Sequence, residues 1–212
     1  MENQKKPECY LILFNVSKKH NIGTILRCAT AFDVKTVCLV GSRNFNTFGS
    51  HGSDAYVHLR HFETLEECCR TLKEDHGCTI VGIEIDDEAK AIQTHPFSGN
   101  TALMLGNEGQ GMNEKQMKLC DSFVYIPQYG VGTASLNVAV ATSIVLHHFA
   151  LWAGYTERSR TQHKYNVADR PQRTAPRGYV PYTEEELSAL RAQRRLKKDG
   201  AAASQQDGAK EK

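Results

Sequence analysis

Short runs of consecutive apolar residues alternate along the chain with stretches in which apolar positions recur every three or four residues. Cys9–Phe14 (CYLILF), Thr36–Val40, Thr79–Ile85, Thr101–Leu105 and Phe123–Ile126 have the length of strands and are apolar at successive positions. Such runs are predicted to be buried on both faces of a sheet. Between them, Asn21–Phe32 places Ile22, Ile25, Leu26, Ala29 and Phe32 on one helical face. Thr64–Glu74 has helical spacing with its charges to one side, and Glu114–Cys120 makes a short helix. Arg43–Ser53 and Asp86–Gly99 are polar and are predicted as loops, the second with short helical pieces. Ala134–Trp152 is the longest predicted helix. The alternation predicts an α/β domain, a mostly parallel sheet flanked by helices. Ligands of such sheets bind beyond the carboxyl ends of the strands.

Ala134–Tyr155 contains no Lys, Arg, Asp or Glu, yet Ser135, Asn137, Thr142, Ser143, His147 and His148 interrupt it. It is predicted to be a helix buried in a core or dimer interface, not a membrane span. Met1–Pro7 is polar and carries no apolar leader. A separate N-terminal RNA-binding domain is not expected from so short an extension.

Charge divides the 212-residue chain. Residues 1–155 hold 13 Lys and Arg against 16 Asp and Glu, a balance of −3, whereas residues 156–198 hold 11 against 5, a balance of +6. We therefore expect a folded domain over 1–155, a basic C-terminal extension over 156–198, and a disordered tail over 199–212. A basic block suits nucleic acid. Within the extension, Thr183 and Glu186 have capping-box spacing and predict a helix over 182–198. The seven cysteines are odd in number, form no CxxC pair and mostly sit in apolar runs. They predict a reducing, intracellular setting, expected to be cytoplasmic with nucleus and organelle open, and neither a zinc ribbon nor a disulfide framework. His147 and His148 are adjacent on a helix and make a poor metal site; no metal is expected.

Three segments that follow strands carry candidate chemistry. The first, Asn21-Ile-Gly23-Thr-Ile-Leu-Arg27, opens a helix. Gly23 there lets a ligand or a second backbone approach, and Arg27 stands alone in an apolar stretch, where a buried charge needs a carboxylate or phosphate partner, unless the side chain snorkels to water at a surface. The second, Leu105-Gly106-Asn107-Glu108-Gly109-Gln110-Gly111, has three glycines in six residues. It lacks the Gly-Lys-Ser/Thr of a phosphate loop and the GxGxxG spacing of a dinucleotide fold. Its Glu108 suits a neutral or cationic ligand, or braces a neighbouring backbone. The third, Ile126-Pro127 through Gly130, Gly132, Ser135, Leu136 and Asn137, ends in a helix start, with Ser135 a candidate N-cap.

Together, in this order and spacing over Tyr10–Tyr155, the three segments resemble the motifs of the SpoU (TrmH-like) branch of the SPOUT methyltransferases. Two departures are Asp33, where the family usually has Gly, and a Gly130–Ser135 stretch one residue longer than the commonest spacing. The resemblance implies an S-adenosylmethionine-dependent RNA 2′-O-ribose methyltransferase with a deep C-terminal trefoil knot, working as a homodimer on tRNA or rRNA. It implies that Ile83, Leu105, Gly106, Ile126, Ser135 and Leu136 surround the cofactor, with backbone groups of Gly106, Ile126 and Leu136 on its adenine and ribose. It implies a catalytic role for Arg27, orientation of Arg27 or the ribose by Asn21, and bracing by Glu108 and Asn137, through Arg27 of the same or the partner chain. Guanidinium stays protonated at neutral pH, so Arg27 is expected to bind a phosphate and steady the developing alkoxide rather than act as a base. Two alternatives are a non-catalytic RNA-binding dimer of the same fold and a metabolic enzyme with a nucleotide cofactor. The intact Arg27, Glu108 and Asn137 speak against the first, and the missing nucleotide fingerprints against the second.

Overall fold

The computed structural model describes residues 5–16, 18–173 and 175–194. The chain divides into two compact units, 1–179 and 180–212. The first is built on a seven-stranded, all-parallel sheet of β1 (Cys9–Leu13), β2 (Thr36–Val40), β3 (Leu59–Phe62), β4 (Thr79–Ile83), β5 (Lys90–Ala91), β6 (Thr101–Leu105) and β7 (Ser122–Tyr125). Their order across the sheet is β3-β2-β1-β6-β4-β7-β5.

The apolar runs are the strands because both faces are covered. Tyr10 and Ile12 of β1, Cys38 of β2 and Ala102 and Met104 of β6 pack with Leu65, Cys68, Cys69 and Leu72 of α2 (Leu65–His76). Cys9, Leu11 and Leu13 point to the other face by strand alternation and are equally buried. α1 (Lys19–Ala31) and α4 (Val138–Trp152) pack against each other, and their Ile25, Leu26, Val145 and Leu146 are all buried. The short α3 (Glu114–Leu119) opens with a capping box between Asn113 and Gln116. β3, absent from the expected elements, is an edge strand whose exposed Arg60 breaks the apolar run.

Two boundaries differ from expectation for local reasons. The long helix starts at Val138, not Ala134, and its N-cap is Asn137, whose Oδ1 accepts from the amides of Ala139 and Val140. Ser135 therefore lies in the preceding loop and caps nothing. At the end of α1, Asp33 adopts φ 55°, the left-handed conformation that glycine favours at this place in a helix stop.

Beyond α4, Arg160–Thr161 (β8) and Lys164–Tyr165 (β9) form an antiparallel hairpin. The chain then runs back across the segment between β2 and β3. Tyr56 Oη donates to Ala168 O, Asn44 bridges Tyr179, and Arg173 pairs with Asp54 at 2.7 Å. In the second unit the chain is helical from 184 to 194, opened by reciprocal bonds between Thr183 and Glu186 as the capping box requires. The remainder of the expected helix and the tail over 199–212 lie outside the described residues. Five of the seven cysteines are buried and all are free. No helix among the described residues is long and apolar enough to cross a membrane, and none of their His, Cys, Asp and Glu cluster into a group of three that would hold a metal.

Candidate active site

Chain direction diverges between neighbours β1 and β6: β2 and β3 lie on one side of β1, and β4, β7 and β5 beyond β6. The crevice beyond the carboxyl ends at such a switch is where α/β sheets bind ligands. The segments leaving β1 and β6 meet there. Asn21, buried in the first turn of α1, donates through Nδ2 to Glu108 Oε1 at 2.8 Å. The same carboxylate oxygen accepts the Lys18 amide at 3.0 Å. Lys18 is the N-cap of α1 and provides no side-chain cap, so Glu108 supplies from outside the negative charge that a helix start favours. Asn137 Nδ2 in turn donates to Asn21 Oδ1 at 3.1 Å. Asn21, Glu108 and Asn137, drawn from three segments of the chain, thus form one hydrogen-bonded row.

Arg27 does not join it. It is exposed on α1, with no hydrogen bond or ion pair of its side chain among the described residues. Of the two readings of Arg27, a buried charge with a partner and a surface charge that reaches water, the structure shows the exposed one: the helix turns Arg27 to the outer stripe of His20, Thr24 and Ala31, all exposed. Gly23, one turn earlier, serves a second backbone. A Cβ there would lie 1.8 Å from Phe48 O, so the loop before β3 is pressed onto α1.

Beside the row lies a cavity of about 350 Å³ at the ends of β4, β6 and β7 and the start of α4. Its lining includes Ile83, Leu105, Gly106, Ile126, Ser135 and Leu136, the six positions expected around a cofactor, together with Glu108. Gly106 is required by the return of its own loop, since a Cβ would meet Gly111 C at 2.8 Å. Asn107 and Gly111 exchange backbone hydrogen bonds at 2.8 and 3.0 Å to close that loop. Glu84, which sequence reasoning missed, reaches into the same wall, accepting from Met112 N at 2.7 Å and Ile85 N at 3.0 Å. Gln128, also missed, lines the cavity with a buried and unpartnered Oε1. Position in the strand–loop pattern gave no sign of either; their chemistry shows only once the strand ends are assembled.

The lining has two carboxylates, Glu84 and Glu108, and no Lys or Arg. That donor set repels phosphate and suits a ligand carrying positive charge. Two carboxylates set among apolar walls fit the sulfonium and adenosine of S-adenosylmethionine.

Comparison with known proteins agrees with this geometry. The model of the SpoU rRNA Methylase family matches residues 8–147, and the chain belongs to that family. It is 32% identical, over 80% of its own length and 83% of the relative's, to a tRNA (guanosine(18)-2′-O)-methyltransferase of Thermus thermophilus. Among solved structures, the TrmH/SpoU tRNA modifying enzyme of A. aeolicus is 26% identical with a TM-score of 0.59, over 70% of this chain and 75% of that one. The AdoMet bound rRNA methyltransferase of Sinorhizobium meliloti, 24% identical over 70% of this chain and 57% of that one, shares the fold with a TM-score of 0.60.

Proposed function

We propose that the protein is an S-adenosylmethionine-dependent RNA methyltransferase that modifies a ribose 2′-hydroxyl, with tRNA as its substrate. The observation that carries this reading is the cavity beyond β4, β6 and β7, anionic and free of Lys and Arg, next to the Asn21–Glu108–Asn137 row. Family membership and the Thermus relative's name support the reaction and favour tRNA. A 2′-hydroxyl acceptor requires RNA rather than DNA.

When bound, the cofactor supplies a methyl group activated by its sulfonium. The chain's task is to hold and orient. Ile83, Leu105, Gly106, Ile126, Ser135 and Leu136 form the cradle. Glu108 and Asn137 keep Asn21 oriented at the rim, where its amide meets the ribose or an arginine. Arg27 binds the phosphate beside the target and steadies charge developing on O2′, the proton passing to a phosphate oxygen or water.

Because Arg27 is exposed and away from its own chain's row, it serves the site of a second subunit, and the protein is a homodimer. Support comes from α4, which packs against α1 and leaves Val140 and Leu151 exposed at 49% and 58% on one stripe of its surface. A deep C-terminal trefoil knot is inferred from the family resemblance. The setting is cytoplasmic, and the basic residues of 156–198 bind further phosphates.

The test is transfer of labelled methyl from S-adenosylmethionine to unmodified tRNA and rRNA transcripts, followed by nuclease digestion and mass spectrometry. A single 2′-O-methyl nucleoside in tRNA is expected. Label on a base, or none on any RNA, overturns the reading; label confined to rRNA overturns the choice of substrate.

A further inference from the structure

Phe48 is 66% exposed, yet its backbone is fixed on both sides. Its carbonyl presses on Gly23 of α1, where a Cβ would not fit. Its amide donates to Asn46 Oδ1 at 2.7 Å. Gly49 adopts φ 88°, and a Cβ there would meet Thr24 Oγ1 at 3.0 Å. Ser50 is fully buried and donates to Asp54 Oδ1 at 2.8 Å. The phenyl ring stands edge-on to the His20 ring, 4.7 Å between centroids. The loop therefore carries an accessible ring at a set place beside the outer stripe of α1.

That stripe is the one that carries Arg27. Gly23 and Arg27 are four positions apart and neighbours on the helix surface. His20 and Arg27 lie about 10 Å apart along the axis, a span that one short single-stranded stretch of RNA covers. The surroundings are basic. Neither α1 nor residues 41–53 contain Asp or Glu. His20, Arg27 and His51 are exposed, and a Cβ at Gly52 would touch the Arg170 guanidinium at 3.5 Å. A single exposed phenyl is ordinary on a protein surface. A phenyl fixed in place, among imidazoles and guanidinium and without carboxylate, is a surface on which unpaired RNA bases stack. Val140 and Leu151, the apolar residues exposed on α4, suit a second subunit better.

We infer that Phe48 is a stacking platform for an unpaired base of the RNA, close to the nucleotide whose phosphate Arg27 grips. This rests on the RNA methyltransferase reading proposed above. Stacking accepts any base, so Phe48 fixes where the strand lies rather than which sequence it has. A platform already in place loses little freedom on binding.

The test measures affinity of the full chain for an unmodified tRNA transcript and, separately, KM and kcat for methyl transfer to it. Phe48→Ala should weaken affinity and raise KM about tenfold, with kcat within about twofold of native. Phe48→Leu, apolar but without a π-face, should lose as much. Phe48→Trp should stay within about twofold of native, and tRNA should quench its added emission. The slope of log affinity against log salt should be native in all three, because a stacked base neutralises no phosphate. Melting temperature, S-adenosylhomocysteine affinity and solution mass should match the native protein. The inference is overturned if Phe48→Ala keeps native affinity, if Phe48→Leu restores it, or if Phe48→Ala changes the solution mass, which would seat a second subunit on the ring. If the native protein binds no RNA, the proposed function falls and this inference with it. If it binds tRNA but transfers no methyl, the proposed reaction falls while the affinity series still decides the role of Phe48.

Discussion

Asn137 and Asn21 lie 116 positions apart, and the side chain of one donates to the side chain of the other at 3.1 Å. Asn137 has two tasks at once. Its Oδ1 caps α4, and its Nδ2 holds Asn21, which holds Glu108. Aspartate at this place would separate the two. Asn137→Asp keeps the capping oxygen and loses the donor, so its melting temperature should stay close to native while methyl transfer falls at least tenfold. Asn137→Ala loses the cap as well and should cost about 1 kcal/mol of stability. Native turnover in a well-folded Asn137→Asp protein would show that the row is not needed for reaction.

The place of Asn137 also marks how far the sequence carries. Strand runs, their alternation with helices and the three ordered motifs were legible, because periodicity and Gly-rich strand ends are local signals. The six cradle positions came from family resemblance, and the fold does bring them to one cavity. The start of α4 was not legible: Ser135 and Asn137 are both good N-cap residues, and only the packed structure chooses between them. Arg27 looked buried because its sequence neighbours are apolar, but its helical neighbours His20, Thr24 and Ala31 are exposed. Residues 166–179 have no periodicity, and among the described residues the Arg173–Asp54 ion pair, the Asn44–Tyr179 bridge and hydrogen bonds such as that from Tyr56 to Ala168 seat this stretch, none of which is encoded locally.

Arg27→Lys keeps the charge and removes the planar fork that grips a phosphate in two places. Arg27 touches neither cradle nor row, so affinity for S-adenosylhomocysteine and the melting temperature should be unchanged. Turnover should fall at least tenfold. Near-native turnover would mean that bidentate phosphate positioning is not its role, and a fall in cofactor affinity would place Arg27 at the cradle.

The basic extension is better tested by substitution than by deletion. Removing everything from Arg158 onward would strip Arg173 from Asp54 and uncover the segment between β2 and β3. Arg158, Arg160 and Lys164 are instead all exposed at the β8–β9 hairpin. Their joint replacement by glutamine should leave cofactor affinity intact and reduce the slope of log affinity for RNA against log salt by up to about 2–3, because each phosphate that the protein no longer neutralises removes about 0.7–0.9 from it. Binding measured at several salt concentrations gives the slope directly. An unchanged slope would remove the hairpin from the RNA interface.

Asp54 and Arg173 bear on stability rather than chemistry. The Asp54 side chain is 1% exposed, and that of Arg173 30%. Burial alone would raise the Asp54 carboxyl, but hydrogen bonds from Arg173 and Ser50 outweigh it and hold the group below the usual carboxylate range. A depressed folded value means that the pair's stabilisation is complete above the unfolded value of about 3.9 and is lost as pH falls through the folded one. Arg173→Met leaves the carboxylate buried without its cation and should cost about 3 kcal/mol at pH 7. In the variant only Ser50 and the charge of Arg177 still oppose burial, so Asp54 takes up a proton more readily, and the gap to the native protein should narrow as pH falls towards and below the unfolded value of about 3.9. Denaturant melts across this fall in pH measure the gap. A gap that stays constant with pH would show that Arg173 holds the strap by packing and not by charge.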